Sequence, residues 1–292
     1  MRYDSIASLV AAAAGEGCAI SDVVIRDQQL ELRMERGALM AQMLSRFDTM
    51  CAASQLGSSS GGLRPPLLCP RDAADFAAFA ASGRSIGGGI FDSLIGCALA
   101  VASHNAGMGK IVAAPTAGSC GIIPAVLITA VKYLGASRES AAKALFTSGA
   151  VGMVIASRAT LSGAQGGCQA ECGSAAAMAA AALTELASGT PDMAANACAI
   201  ALKSQLGLVC DPVAGLVEVP CIKRNATGAV LAWTAADMAL AGIKSFIPAD
   251  EVIDAMRSVG DLMPAALRET SEGGLAASPT AAEAADRLRG GQ

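Results

Sequence analysis

The feature that most limits how this chain can fold is its alanine-rich apolar patterning, which recurs with helical rather than strand period. Alanine costs least in a helix and lets neighbouring helices approach closely, so here it acts as general filler. Few segments alternate as strands do, and no strand-helix alternation of the dinucleotide-binding kind is present. An all-α fold is the expectation. Hydrophobic residues at 53% against 16% charged are the reverse of a disordered composition, and the 32 glycines follow no collagen-like period. A mean hydropathy of +0.49 raises the question of a membrane. The best apolar runs are too short for one: Ile122 to Val131 stops at Lys132, and Ala175 to Leu183 is soon followed by Glu185. No membrane association is expected.

Periodicity predicts one or two helices over Asp22 to Ala53, with Leu30, Leu32, Met34, Leu39, Met40 and Met43 on the apolar face. Gly57 to Pro70 is rich in helix-ending residues and reads as a break. Further helices are expected at Ile90 to His104, Ile122 to Leu134, Arg138 to Ser157, Cys172 to Ala187, Pro191 to Leu206, Ala229 to Ile243 and Pro248 to Val259. The organisation is therefore an N-terminal helical segment over 1–56, a helical domain over 71–276 and a loosely packed tail over 277–292, where residues turn small and polar. Ser5 to Ala14 has the length of a signal-peptide core, but only Arg2 precedes it as a base and Asp4 is acidic, so export is not expected. A net charge of −4 without basic clusters gives no footprint for nucleic acid. The 10 cysteines run from Cys18 to Cys221 in a chain large enough to need no disulfides, which reads as cytoplasmic thiols, some of them metal ligands.

Three segments depart from helical patterning. Asn105 to Pro124 (NAGMGKIVAAPTAGSCGIIP) is loaded with small residues. Gly107, Gly109, Gly118 and Gly121 allow close backbone approach to a ligand, and Thr116 and Ser119 offer hydroxyls near a helix start, an arrangement suited to a carboxylate. A plain helix-to-helix connection has the same composition. In the second segment, Ser162 to Gly173, Cys168 follows two glycines and Cys172 comes four residues later. In the third, Leu208 to Asn225, Cys210 precedes Asp-Pro and Cys221 follows Pro220. Thiols at such corners can be aimed at a metal; a buried structural cysteine is the alternative for each one taken singly. Zinc prefers compact pairs of cysteines, which these are not. Soft thiolates without histidine suit an iron-sulfur cluster. Four cysteines would saturate such a cluster as an electron carrier, and three would leave one iron open as a Lewis acid.

The runs GKIVAAPTAGSCGIIPA, GGCQAECGSA, GLVCDPVAGLVEVPCIKRNA, ADMALAGIKSFIPADEVIDAM and ETSEGGLA closely resemble, in the same order, the alpha chain of iron-sulfur-dependent L-serine dehydratase. The resemblance covers most of the chain from about residue 90 to 280. It implies that 71–276 is a catalytic domain with glycine-rich loops around a [4Fe-4S] cluster ligated by Cys168, Cys210 and Cys221, with Cys172 serving packing. The implied reaction deaminates L-serine to pyruvate and ammonia, as in amino-acid degradation and gluconeogenesis, with the open iron polarising the C–O bond while a base takes the α proton. Substrate-binding residues are expected at Asn105, Lys110, Thr116, Gly118, Ser119, Gly121 and Asn225. His104, the only histidine, is the candidate base by pKa.

None of the six lysines (110, 132, 143, 203, 223 and 244) stands in a pyridoxal-phosphate context, so that cofactor is not expected. Single-chain members of the family end in a cysteine soon after the GGLA motif and carry an additional domain, which two-chain forms supply as a separate beta chain. This sequence has no thiol after Cys221, so the expected partner is a beta chain, with a homodimer as the other source of cover. Cysteine desulfidase, whose proteins share related motifs, and a four-cysteine redox or sensor protein are the rival readings.

Overall fold

The computed structural model describes residues 3–58 and 64–290, and among these the regular structure is helical. In chain order the helices are α1 (Ile6–Glu16), α2 (Ile20–Leu32), α3 (Arg36–Ser58), α4 (Asp72–Ala81), α5 (Gly88–Ala106), α6 (Ile122–Tyr133) and α7 (Arg138–Arg158). There follow α8 (Gly163–Gly166), α9 (Ser174–Leu186), α10 (Pro191–Lys203), α11 (Cys221–Leu240), α12 (Ala249–Leu262) and α13 (Pro279–Gly290). One π-helical turn, Gln169–Gly173, leads into α9. The single β-type contact among the described residues is a parallel bridge between Cys210 and Arg268. The all-α expectation holds.

Helix starts follow side-chain chemistry. Ser5 accepts from the Ser8 amide at 3.0 Å, Ser137 from that of Ser140 at 3.0 Å and Thr190 from that of Met193 at 3.2 Å, with Pro191 in the first turn of α10. Each bond satisfies an amide that the helix itself leaves free.

A helix that is small and apolar on every side has to be enclosed. That helix is α9, buried from Ser174 to Thr184 and surrounded by α6, α7, α10 and α11. Its alanines let those neighbours approach closely, and Ile122, Ile123, Ile155 and Leu202 on them are buried almost completely. Around this centre α5 packs between α3, α6 and α11. The N-terminal segment is tied into the rest: Asp250 accepts from the Ile6 and Ala7 amides at 2.7 and 3.0 Å, and Glu185 accepts from the Ser21 amide and the Thr147 hydroxyl. On its own α7 is long and apolar enough to cross a membrane, but 67% of its apolar window lies inside the protein.

Three differences from the sequence expectations have physical reasons. Helix α11 begins at Cys221, well before Ala229, because Pro220 sets the corner and the polar run Lys223-Arg224-Asn225 turns its side chains to ion pairs and loop carbonyls instead of breaking the helix. The break at Gly57 to Pro70 starts later than expected, since α3 continues to Ser58; residues 59–63 of it lie outside the described residues. Within the tail expected over 277–292, Pro279–Gly290 forms a mostly exposed helix whose Ala281 and Ala284 seat on Val213. Alanine propensity and two small contacts suffice there.

Candidate active site

The π turn places the first thiol. Gln169 is fully buried; its amide donates to the Leu208 carbonyl at 2.9 Å, its side chain donates to the Met256 carbonyl at 3.1 Å and accepts from the Gly207 amide at 2.9 Å. These bonds hold Cys168 against the Gly207–Cys210 segment. Cys210 is fixed in turn by its amide on the Leu267 carbonyl at 2.9 Å and by the Glu269 amide on its own carbonyl at 2.7 Å. Cys221 opens α11. Sequence-distant thiols Cys168, Cys210 and Cys221 are thus gathered, all buried, and close enough to repel one another when ionised.

Burial pushes the Cys210 thiol up, reinforced by Cys168 and Glu171, and pushes Cys221 up to about 12. Cys168 is the exception. The hydrogen bond it shares with Cys172, whose sulfur lies 3.4 Å away, holds it below the ordinary thiol value, with help from the Arg224 guanidinium; Cys172 is raised correspondingly. Arg224 donates to the Val209 carbonyl at 2.7 Å and to the buried Asp211 at 2.9 Å, bracketing Cys210, and Asp211 also accepts from the Leu275 amide at 2.8 Å. Three buried thiols, two of them resisting ionisation and the third favoured as thiolate beside a cation, fit a cationic soft-metal centre that would hold them as thiolates. Among the described residues no three His, Cys, Asp or Glu side chains converge as single-ion ligands. Neighbouring buried thiols without histidine suit an iron-sulfur group better than one zinc ion.

The threonine loop reaches the same place. Ser119 and Thr116 hydroxyls are 3.0 Å apart, and Thr116 stands near enough to Glu171 to favour its carboxylate. Glu171 Oε2 lies 4.0 Å from Cys210 Sγ. The fit is close: a Cβ on Gly163 would stand 2.7 Å from Oε2 and 3.0 Å from that sulfur, so a larger residue there would displace the Glu171 carboxylate. Burial raises the Glu171 pKa, Thr116 lowers it and Glu269 raises it. Thr116, Ser162, Gly163, Gln165, Glu171 and Glu269 are on the wall of an open cavity of about 380 Å³, roomy enough for a small amino acid.

The other expected substrate residues stand behind this wall. Asn225 accepts from the Gly121 amide at 2.8 Å and donates to the Gly118 and Cys221 carbonyls at 2.7 and 2.9 Å, so its amide is fully engaged in joining the loop to α11. Gly121 gives its amide to that bond, Ser119 is fully buried, and Asn105 donates to the Ala117 carbonyl at 3.1 Å. Lys110 is exposed and off the cavity wall. Of the loop side chains, Thr116 alone lines the cavity.

His104 is buried behind the loop and off the cavity wall, with its ring packed on Gly109 and its Nδ1 lacking a partner. Burial lowers its pKa from 6.5, opposed by a backbone bond with Lys110. Below about pH 6.5 the unfolded chain takes up a proton that the folded ring resists, so the stability contributed by the neutral ring is lost as pH falls through that window. Substituting His104→Gln is expected to flatten the acid-side decline of the denaturation midpoint. An unchanged slope would assign the decline to other groups.

Glu171, Arg224 and Glu269 carry much of the site and are not evident from motif spacing alone. A signal existed: Glu171 follows Cys168, and Arg224 follows Cys221, by three residues, which puts each pair on one helical face.

Residues 15–276 match the family described as serine dehydratase alpha chain. A Bacillus subtilis (strain 168) protein named probable L-serine dehydratase, alpha chain, is 50% identical over 272 residues, covering 93% of this chain and 90% of that protein. The L-serine dehydratase, alpha chain, of Peptoniphilus asaccharolyticus is 52% identical over 202 residues, 69% of each. L-serine dehydratase 1 of Escherichia coli (strain K12) is 41% identical over 240 residues, 79% of this chain and 52% of that protein.

Proposed function

The chain belongs to the serine dehydratase alpha-chain family, and from that premise we propose that it deaminates L-serine to pyruvate and ammonia using a [4Fe-4S] cluster held by Cys168, Cys210 and Cys221. The observation that supports the reading is the burial of three neighbouring thiols behind a small cavity lined by Thr116 and Glu171, whose carboxylate lies 4.0 Å from the Cys210 sulfur. When bound, a cluster with only three protein ligands supplies an open iron as Lewis acid for the departure of the serine hydroxyl.

The protein side of the reaction is positioning. Thr116 receives the substrate carboxylate through its hydroxyl, with Ser119 bonded behind it. Asn225 keeps that loop in register with Cys221, so the substrate and the metal ligands share one frame. The alanine-packed wall behind Cys168 and Cys172 keeps water from the thiols. The relatives named alpha chains point to a beta-chain partner, which we place over the open cavity, and the free thiols suit a reducing cytoplasmic setting.

Substituting Thr116→Val is expected to raise the serine KM, or to lower kcat, by about tenfold, the worth of one charge-assisted hydrogen bond. Iron content should not change. Unaltered kinetics would reduce this loop to a structural connection. The function itself is tested by anaerobic reconstitution with iron and sulfide followed by a pyruvate assay on serine and on cysteine, with and without the beta chain. Pyruvate from serine, strongest with both chains, is expected; preferential turnover of cysteine would support desulfidation instead.

A further inference from the structure

Glu171 takes no part in thiol ligation or carboxylate binding as described above, yet it occupies the centre of the site. It stands on the π turn three residues after Cys168, and single π turns of this kind concentrate at functional positions. Its carboxylate lies between the Cys210 sulfur, at 4.0 Å, and the threonine loop, where a Cβ on Gly118 would stand 3.4 Å from Oε1. Thr116 stands beside it on the wall, and the cavity lies open in front of both.

Glu269 stands near enough to repel it, on the same cavity wall. That residue is held by its amide on the Cys210 carbonyl and adopts a left-handed backbone conformation, φ 63°, which is costly for a residue with a Cβ and persists where its surroundings impose it. No lysine or arginine is among the residues lining this cavity. The wall thus offers two carboxylates and a hydroxyl, beside thiols, to a ligand that must bring its own positive charge.

We propose that Glu171, with Glu269 beside it, receives the α-ammonium of the substrate and so selects amino acids over the corresponding hydroxy acids. The inference rests on the serine dehydratase reading and specifies how that site recognises its substrate. An ammonium has three donors, enough to meet Glu171 and Glu269 together, and its binding relieves their mutual repulsion. A serine so held presents its carboxylate to Thr116 and its hydroxyl to the thiol side. The analogue without the ammonium, 3-hydroxypropanoate, leaves the two carboxylates unpaired and binds less well.

The test compares L-serine and 3-hydroxypropanoate binding to the cluster-loaded enzyme with its beta chain, by anaerobic calorimetry and by serine kinetics. In Glu171→Gln the preference for serine over 3-hydroxypropanoate should fall by about tenfold or more, the worth of one charge-assisted bond. Iron content should stay at the unsubstituted level, and Glu171→Asp should recover part of the preference. Glu269→Gln should move the same ratio in the same direction by less. Two results would overturn the proposal: equal weakening of both ligands, which marks a structural role, and a collapse of kcat with the binding ratio unchanged, which makes Glu171 the proton acceptor. Failure of the functional reading is separate, because it appears as absence of pyruvate in the unsubstituted enzyme while the binding ratio is still measured.

Discussion

Serine in place of Cys168, Cys210 or Cys221 is expected to abolish cluster absorbance and serine deamination together, with activity falling by about 10³-fold or more as the Lewis acid is lost. The size follows from the site. Each thiol is buried and resists ionisation on its own or depends on its neighbours, so the three hold a metal centre collectively. A serine hydroxyl at one position is a harder and far less acidic donor, and its burial leaves a polar group without the partner that justified it. Cys172→Ala is the control, and a demanding one, because its sulfur touches that of Cys168 at 3.4 Å. The account expects this variant to keep both cluster and activity, with some loss of stability from the small cavity created among α9 neighbours. Loss of the cluster in Cys172→Ala would favour four-cysteine ligation and a redox role.

The second large effect is expected at Asn225. Its side chain satisfies the Gly121 amide and two carbonyls, those of Gly118 and Cys221, in the buried seam between the threonine loop and α11. Truncation to alanine leaves these groups without partners, at about 1–3 kcal/mol for each buried polar group so orphaned. The loop then loses its register to the thiols, and a shift of about 1 Å in a positioned reactant costs on the order of 10²-fold in rate. Asn225→Asp separates the contributions. An aspartate still accepts from Gly121 but donates to neither carbonyl, so it should remain folded while the serine KM rises and kcat falls. An Asn225→Asp enzyme with native kinetics would show that the seam is not what positions the substrate.

How far the sequence discloses this arrangement differs from one element to the next. Helices α6, α7 and α12 are legible to within a few residues, because apolar periodicity ends at a charge, a proline or a glycine in each case. The start of α11 is hidden, since Lys223, Arg224 and Asn225 look like a loop until their partners Asp72, Asp211 and Gly118 are brought in from elsewhere in the chain. The thiols can be singled out by their proline and glycine corners and by the family resemblance, and the structure gathers them. Asn225 and Ser119 show the limit of a motif: it marks residues that matter without separating those that touch a ligand from those that hold the wall in place. Glu171 escapes for a related reason. Its neighbours Thr116, Cys210 and Glu269 come from three other segments, and no local pattern encodes that meeting.

The most direct test of the central claim is Mössbauer spectroscopy of the ⁵⁷Fe-reconstituted protein, recorded anaerobically before and after adding L-serine. Three thiolate ligands and one open position predict that a single iron of the [4Fe-4S] cluster changes its isomer shift and quadrupole splitting when serine binds, while the other three do not. Four irons indifferent to serine would mean a cluster saturated by the protein, and would contradict the account.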